Sequence, residues 1–271
     1  MEGTIFMKIY EIIDFENKFS IGVLIYYEKK KQFIIELQDY LDEWTAPLLF
    51  SALVKKNIYT IPRELSRLWV RERIIPRDRQ NIGDILKNHG LESYDEMKFL
   101  EISRGKCSQD YLYIKRMDRL PNYAVHRRKK NVIECFPCNN RELLCFFMDD
   151  VVKKINLNDI ANEEGVDKIL EFDQLYQSCM VGPGGYCVTF NDSIDIAAGT
   201  LYDAGQVIPL SRDDFIKFAN KNLLDTVECC ELLECSRQNI GYMVKKQHIT
   251  PIKENVKGNL YLRGDIQKNM W

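Results

Sequence analysis

The sequence is short of histidine, glycine and proline: three His (His89, His126, His248), 14 Gly and 8 Pro in 271 residues. Three imidazoles in distant segments are a thin supply for His-based catalysis. None stands in a recognisable Ser or Cys nucleophile motif, so no catalytic residue is assigned and the chain is expected not to be an enzyme. The low Gly and Pro content excludes collagen-like and low-complexity designs. Long hydrophobic runs are missing too. The longest, 22–27 and 143–148, fall far below the roughly 20 residues a membrane helix needs. The first 18 residues carry acids early and have no basic-then-apolar layout, so no signal peptide is read there. Nine cysteines, odd in number and scattered, make a poor disulfide framework. These absences lead to the expectation of a soluble cytoplasmic protein with no membrane partner.

What is present is a globular composition, 45% hydrophobic and 29% charged, with 13 Phe, 14 Tyr and 3 Trp. The length suits two domains or three small ones. The net charge of -2 hides blocks. Residues 55–80 hold eight basic residues against three acidic, whereas 131–215 hold five against fifteen. Residues 236–263 turn basic again, six against one. An acidic middle avoids phosphate backbones; the basic segment after it approaches them. The basic run at 126–130 (HRRKK) reads as a solvated linker rather than a phosphate contact. The predicted architecture is multi-domain α+β: an α+β domain over 1–130, a small acidic α+β domain over 131–212, and a winged helix-turn-helix over 213–271.

Near the carboxyl end, Asp225 followed by Glu228 has the spacing of a reciprocal helix cap. Val227, Cys230, Leu232 and Leu233 mark a short apolar face. Ser236 then caps a second helix whose buried residues are Ile240, Met243 and Val244. Two short helices joined by a tight turn form a helix-turn-helix. The second carries Arg237, Gln238 and Asn239 in its first turn, with Tyr242, Lys245 and Lys246 beyond. Arg grips guanine, Gln or Asn grips adenine, and Lys meets phosphate. Residues 249–253 and 259–263 predict a hairpin, or wing, that places Lys257 and Arg263 along a DNA backbone.

The run Leu232, Leu233, Cys235, Ser236, Arg237, the basic helix end at Lys245 and Lys246, and the closing Leu262, Arg263, Asp265 resemble the winged helix-turn-helix of excisionase and MerR-type regulators. About 45 residues are covered. The segment departs from that pattern at Cys229 and Cys230, where Ala is usual, and at Gln247, where Gly is usual. The resemblance implies binding of double-stranded DNA through Ser236, Arg237, Gln238, Asn239, Tyr242, Lys245, Lys246, Lys257 and Arg263. The plainer alternative is a module that only docks or dimerises.

The middle segment predicts a hairpin over 132–136 and 142–148, a third strand over 151–157, a helix over 159–168, and strands over 186–190 and 194–196. Phe190, Asp192, Ile194, Asp195, Ile196, Leu201 and Tyr202 resemble the closing motif of a small bacterial α+β family of unknown function. That family occurs in operons similar to toxin–antitoxin pairs. Asp192 and Asp195 read as turn-capping acids, and Cys135 and Cys138 as half a zinc site with no second half, so no metal or other cofactor is assigned.

The amino-terminal segment predicts strands over 19–27 and 32–37, a helix over 42–56, helices over 81–89 and 94–102, and a closing strand over 111–114. Gly22 and Leu24, with Trp69, Arg73 and Pro76, resemble the amino-terminal subdomain of HipA-like toxin kinases, but no kinase lobe follows. The resemblance implies docking onto a separately encoded kinase. Arg67, Trp69, Arg71 and Arg73 are the expected partner-binding residues, with ion pairing inside the protein and nucleic-acid stacking as alternatives. The sequence thus predicts a DNA-binding regulator, antitoxin-like or autoregulatory, working as a homodimer or hetero-complex. The rival is a non-catalytic adaptor or inhibitor in phage or host defence whose acidic domain imitates nucleic acid.

Overall fold

The computed structural model describes residues 7–208, 212–254 and 258–270, and the chain divides into two compact units, Met7–Ala124 and Val125–Trp271. Helices and small antiparallel sheets occur in both, so the class is α+β.

In the first unit, β1 (Met7–Asp14), β2 (Ser20–Tyr27), β3 (Gln32–Leu37), β4 (Thr60–Ile61) and β5 (Leu112–Met117) form one antiparallel sheet in the order β4-β3-β2-β1-β5. The central strand β2, SIGVLIYY, is buried on both faces, which its run rich in apolar and aromatic residues with no charge anticipates. Gly22 is required there, because a Cβ would lie 2.3 Å from the Glu36 carbonyl oxygen. Helices α1 (Ser51–Val54), α2 (Arg63–Arg71), α3 (Ile82–Asn88) and α4 (Glu96–Ser103) complete the unit. Ser66 pins α2 to the sheet: its Oγ accepts from Ile35 N–H at 3.0 Å and donates to the Ile61 carbonyl at 3.1 Å. The expected helix over 42–56 is largely replaced by a turn. Asp42 Oδ1 accepts from Trp44 N–H, Thr45 N–H and Thr45 Oγ1, a side-chain bonding pattern that competes with helix formation. Only a 3₁₀ turn at Leu48–Phe50 and α1 remain of it.

Helix α5 (Asn122–Arg127) spans the point of division. In the second unit β6 (Val132–Pro137), β7 (Glu142–Phe147) and β8 (Val152–Asn156) form a meander, with β12 (Gln206–Val207) on β8. The strands β9 (Cys179–Val181), β10 (Cys187–Phe190) and β11 (Ile194–Ala197) make a second sheet, and α6 (Val166–Glu171), α7 (Asp173–Gln177) and α8 (Ala198–Ala204) pack around the two. Then follow α9 (Arg212–Asn222), β13 (Leu223–Leu224), α10 (Thr226–Leu233), α11 (Arg237–Lys245), β14 (Tyr261–Leu262) and α12 (Arg263–Gln267).

Alternation along β7 decides how these parts join. Leu143, Cys145 and Phe147 enter one core with Val132, Ile155 and Val188. Leu144 and Phe146 face the other way, into a cluster with Phe136, Cys138 and Phe218 of α9. The Phe146 and Phe218 rings stack at 4.8 Å. The sequence-derived boundary at 213 therefore lies inside one packed unit, because α9 covers the second face of the meander.

Candidate nucleic-acid interface

Local rules position α10 and α11. Asp225 Oδ1 accepts from Val227 and Glu228 N–H at 2.7 and 2.9 Å, and Glu228 Oε2 accepts from Asp225 N–H at 2.8 Å. This reciprocal cap fixes the start of α10. The helix ends at Glu234 in a left-handed conformation (φ 52°). Ser236 then caps α11, its Oγ accepting from Asn239 N–H at 3.3 Å. The buried face of α10 runs through Cys229 and Leu233, while Val227, expected inside, is exposed. Ile240 is buried and Met243 and Val244 half-buried against the same cluster, with Ile249, Tyr261 and Ile266. After α11 the chain turns at Gln247 with φ 58°, and the N–H groups of Gln247 and His248 donate to the carbonyls of Val244 and Met243. Glutamine thus takes the left-handed position at which the regulator pattern has glycine, at a modest steric cost.

The opposite face of α11 is open. Ser236, Arg237, Gln238, Asn239, Tyr242, Lys245 and Lys246 are all exposed. Lys246 Nζ lies 5.7 Å from the Tyr242 ring centre. Among the described residues, Arg237 and Lys245 have no acidic partner. The guanidinium, amide and ammonium groups therefore point away from the packed cluster.

The wing differs from expectation. Lys253 and Leu260 form an isolated antiparallel bridge, with Ile252 N–H donating to the Leu260 carbonyl. The strand β14 pairs instead with β13, Leu224 opposite Tyr261. Lys257 lies outside the described residues. Arg263 is half-buried. It starts α12, its Nη2 donates to the Lys221 carbonyl at 3.1 Å, and its charge acts on the buried Glu134.

The expected partner-binding arginines separate into two kinds. Trp69 is 1% exposed and Arg73 5%, which removes both from any docking surface. The Arg73 guanidinium lies 3.8 Å from the Trp69 ring centre, donates to the Trp69 carbonyl at 3.0 Å and pairs with Asp110. These contacts offset the burial of the cation, although its Nε finds no hydrogen-bond partner. Arg67 and Arg71 remain accessible, and Glu96 binds both. Leu48, expected among the apolar residues of the 42–56 helix, is instead 91% exposed, and nearby Trp44 is 85% exposed.

In the meander, Cys135 Sγ lies 3.4 Å from Cys145 Sγ and 3.3 Å from Cys179 Sγ. Burial, with the hydrogen bond to Cys145, raises the Cys135 thiol well above its ordinary range. Cys138 packs in the α9-facing cluster, apart from this trio. Among the described residues, no group of three or more His, Cys, Asp or Glu side chains has metal-holding geometry. No helix of the described residues is long and apolar enough to cross a membrane. Against known proteins the chain stands apart: no family, no curated protein and no solved structure matches it.

Proposed function

We propose that the protein is a DNA-binding transcriptional regulator that seats α11 in a major groove. The observation that carries this reading is the exposed polar face of a Ser-capped second helix, Arg237 to Lys246, on an otherwise packed helix-turn-helix. Arg237 and Gln238 at its amino end reach base edges, while Lys245 and Lys246 meet phosphate. Its few cations make one copy a weak binder, so the working form is a homodimer or a complex. The reading assigns no catalytic step. The resemblances of the carboxyl-terminal and middle segments support an autoregulatory, antitoxin-like role. The exposed Trp44 and Leu48 of the amino-terminal unit are the apolar residues offered to a protein partner, for which a HipA-like kinase is the candidate.

A gel shift on the chain's own upstream DNA at two salt concentrations tests the reading. The wild type is expected to shift more strongly at low salt. The double variant Arg237→Ala, Lys245→Ala is expected to lose at least about tenfold in affinity, from ~1–3 kcal/mol for the base contact plus one phosphate contact. No shift by the wild type, or an equal shift by the double variant, refutes it. A second reading, nucleic-acid mimicry by the acidic domain, draws on the exposed acids Glu163, Glu164, Asp167, Glu171 and Asp173. Capture of a basic protein partner without any DNA shift favours that one.

A further inference from the structure

The amino-terminal unit contains a cleft of about 500 Å³ between α2, the turn that follows it and the start of α4. Arg67 and Arg71 stand one helical turn apart on its α2 wall, Arg77 comes from the following turn, and Lys31 from the β2–β3 turn. Glu96 accepts from Arg67 Nε at 3.0 Å, Arg67 Nη2 at 3.2 Å and Arg71 Nε at 3.0 Å. One carboxylate thus orients two guanidinium groups while using three of their ten N–H donors. The two side chains remain 45% and 55% exposed, so the other donors are open to a ligand. Arg77 and Lys31 are exposed and have no acidic partner among the described residues. Of the other acids in the lining, Asp95 is occupied in capping α4, accepting from Lys98 N–H at 2.9 Å, which leaves Asp78.

The three arginines share the cleft lining with Tyr94. Burial and then Glu96 raise its phenol, and the charges of Arg71, Arg77 and Arg67 all oppose that rise. Its hydroxyl donates to the Ile75 carbonyl at 2.7 Å, which holds the ring at the cleft wall. The volume falls within the ~300–1,000 Å³ usual for small-molecule sites. Guanidinium pairs held by a shared carboxylate match the oxygens of a phosphate group bidentately, and their orientation is fixed before the ligand arrives.

We propose that this cleft binds a nucleotide-sized organic phosphate, its anionic group held by Arg67, Arg71 and Arg77 and its organic part lying along Tyr94 and Ile74. The site is independent of the DNA interface assigned to α11.

The test is calorimetric titration of the full chain with ADP, ATP, pyrophosphate and inorganic phosphate. ADP or ATP is expected to bind, with affinity falling as salt rises. Arg77→Glu and Arg71→Glu are each expected to weaken that binding at least about tenfold, because each replaces an attractive contact with a repulsive one. Arg77 is exposed and pairs with no acid, so its variant is expected to melt like the wild type and to separate ligand loss from unfolding. Lys245→Ala is expected to bind nucleotide unchanged, which separates this site from the DNA reading. Absence of binding by every probe, or wild-type affinity in Arg77→Glu, overturns the site. Pyrophosphate or phosphate binding as tightly as ADP overturns the assignment of an organic part.

Discussion

Glu134 is a carboxyl group inside the protein, 4% exposed on β6, and it accepts a hydrogen bond from the Gly264 N–H at the start of α12. A Cβ at position 264 would lie 2.4 Å from Glu134 Oε1, so any larger residue would make the carboxyl group shift. Burial raises the carboxyl from an ordinary 4.5 to about 7, against the smaller opposing effects of the Gly264 N–H and Arg263. The folded state therefore holds this proton more tightly than the unfolded chain. The group's contribution is most favourable below pH 4.5 and is lost as pH rises through about 7. Glu134→Gln keeps an acceptor and carries no charge. Thermal melts at pH 5 and pH 8 are expected to show the variant gaining on the wild type only at the higher pH, by up to about 3 kcal/mol. A pH-independent offset refutes this. The sequence marks Glu134 only as an acid in an apolar strand, since its partner lies 130 residues away. Trp69 and Arg73 turn inward for a related reason: the buried Arg73 guanidinium finds its acidic partner in Asp110, 37 residues further on, which no local pattern marks.

Among the elements, those set by local chemistry were legible. Asp225, Glu228 and Ser236 fix the ends of α10 and α11 within three residues of themselves, and both helices stand where the spacing puts them. Ser236→Ala is expected to cost about 1 kcal/mol in chemical denaturation, with Ser236→Asp restoring most of it. Equal losses in both variants count against the cap. Elements completed from a distance were less legible. Among the described residues the predicted wing shows one bridge, Lys253–Leu260, and β14 pairs with β13, some 37 residues earlier at the Leu224–Tyr261 pair. The helix expected over 42–56 gives way because the Asp42 side chain bonds its own neighbours. Of the face expected for α10, Leu233 is buried and Cys230 and Leu232 half-buried, while Val227 is exposed and Cys229 takes the deepest place, since two helical turns give few positions to set a phase.

At the scale of the molecule, the α+β class follows from strands and helices visible in the sequence, whereas the packing of 213–271 against the meander does not. Phe218 is one aromatic residue among thirteen Phe, and nothing nearby signals that it covers Leu144 and Phe146. Phe218→Ala is expected to destabilise the second unit by about 3–5 kcal/mol. Hydrogen exchange is expected to show protection falling together in β7 and in α10–α11. Loss confined to α9 itself would mean that the helix-turn-helix is stabilised separately. The candidate interface was legible on α11, where exposure follows from helical period; the arginine cleft was not, because it is assembled from α2, α4 and two turns.

The bond between Glu134 and Gly264 also bears on how the protein is made. The strand carrying the acid leaves the ribosome long before its partner exists, and translation must add 130 residues before that carboxyl group meets its amide. Until α9 has emerged, the nascent meander also keeps one apolar side uncovered, at the mercy of aggregation or a chaperone. Completion of this half of the chain is therefore a late event in synthesis, timed by the emergence of residue 264.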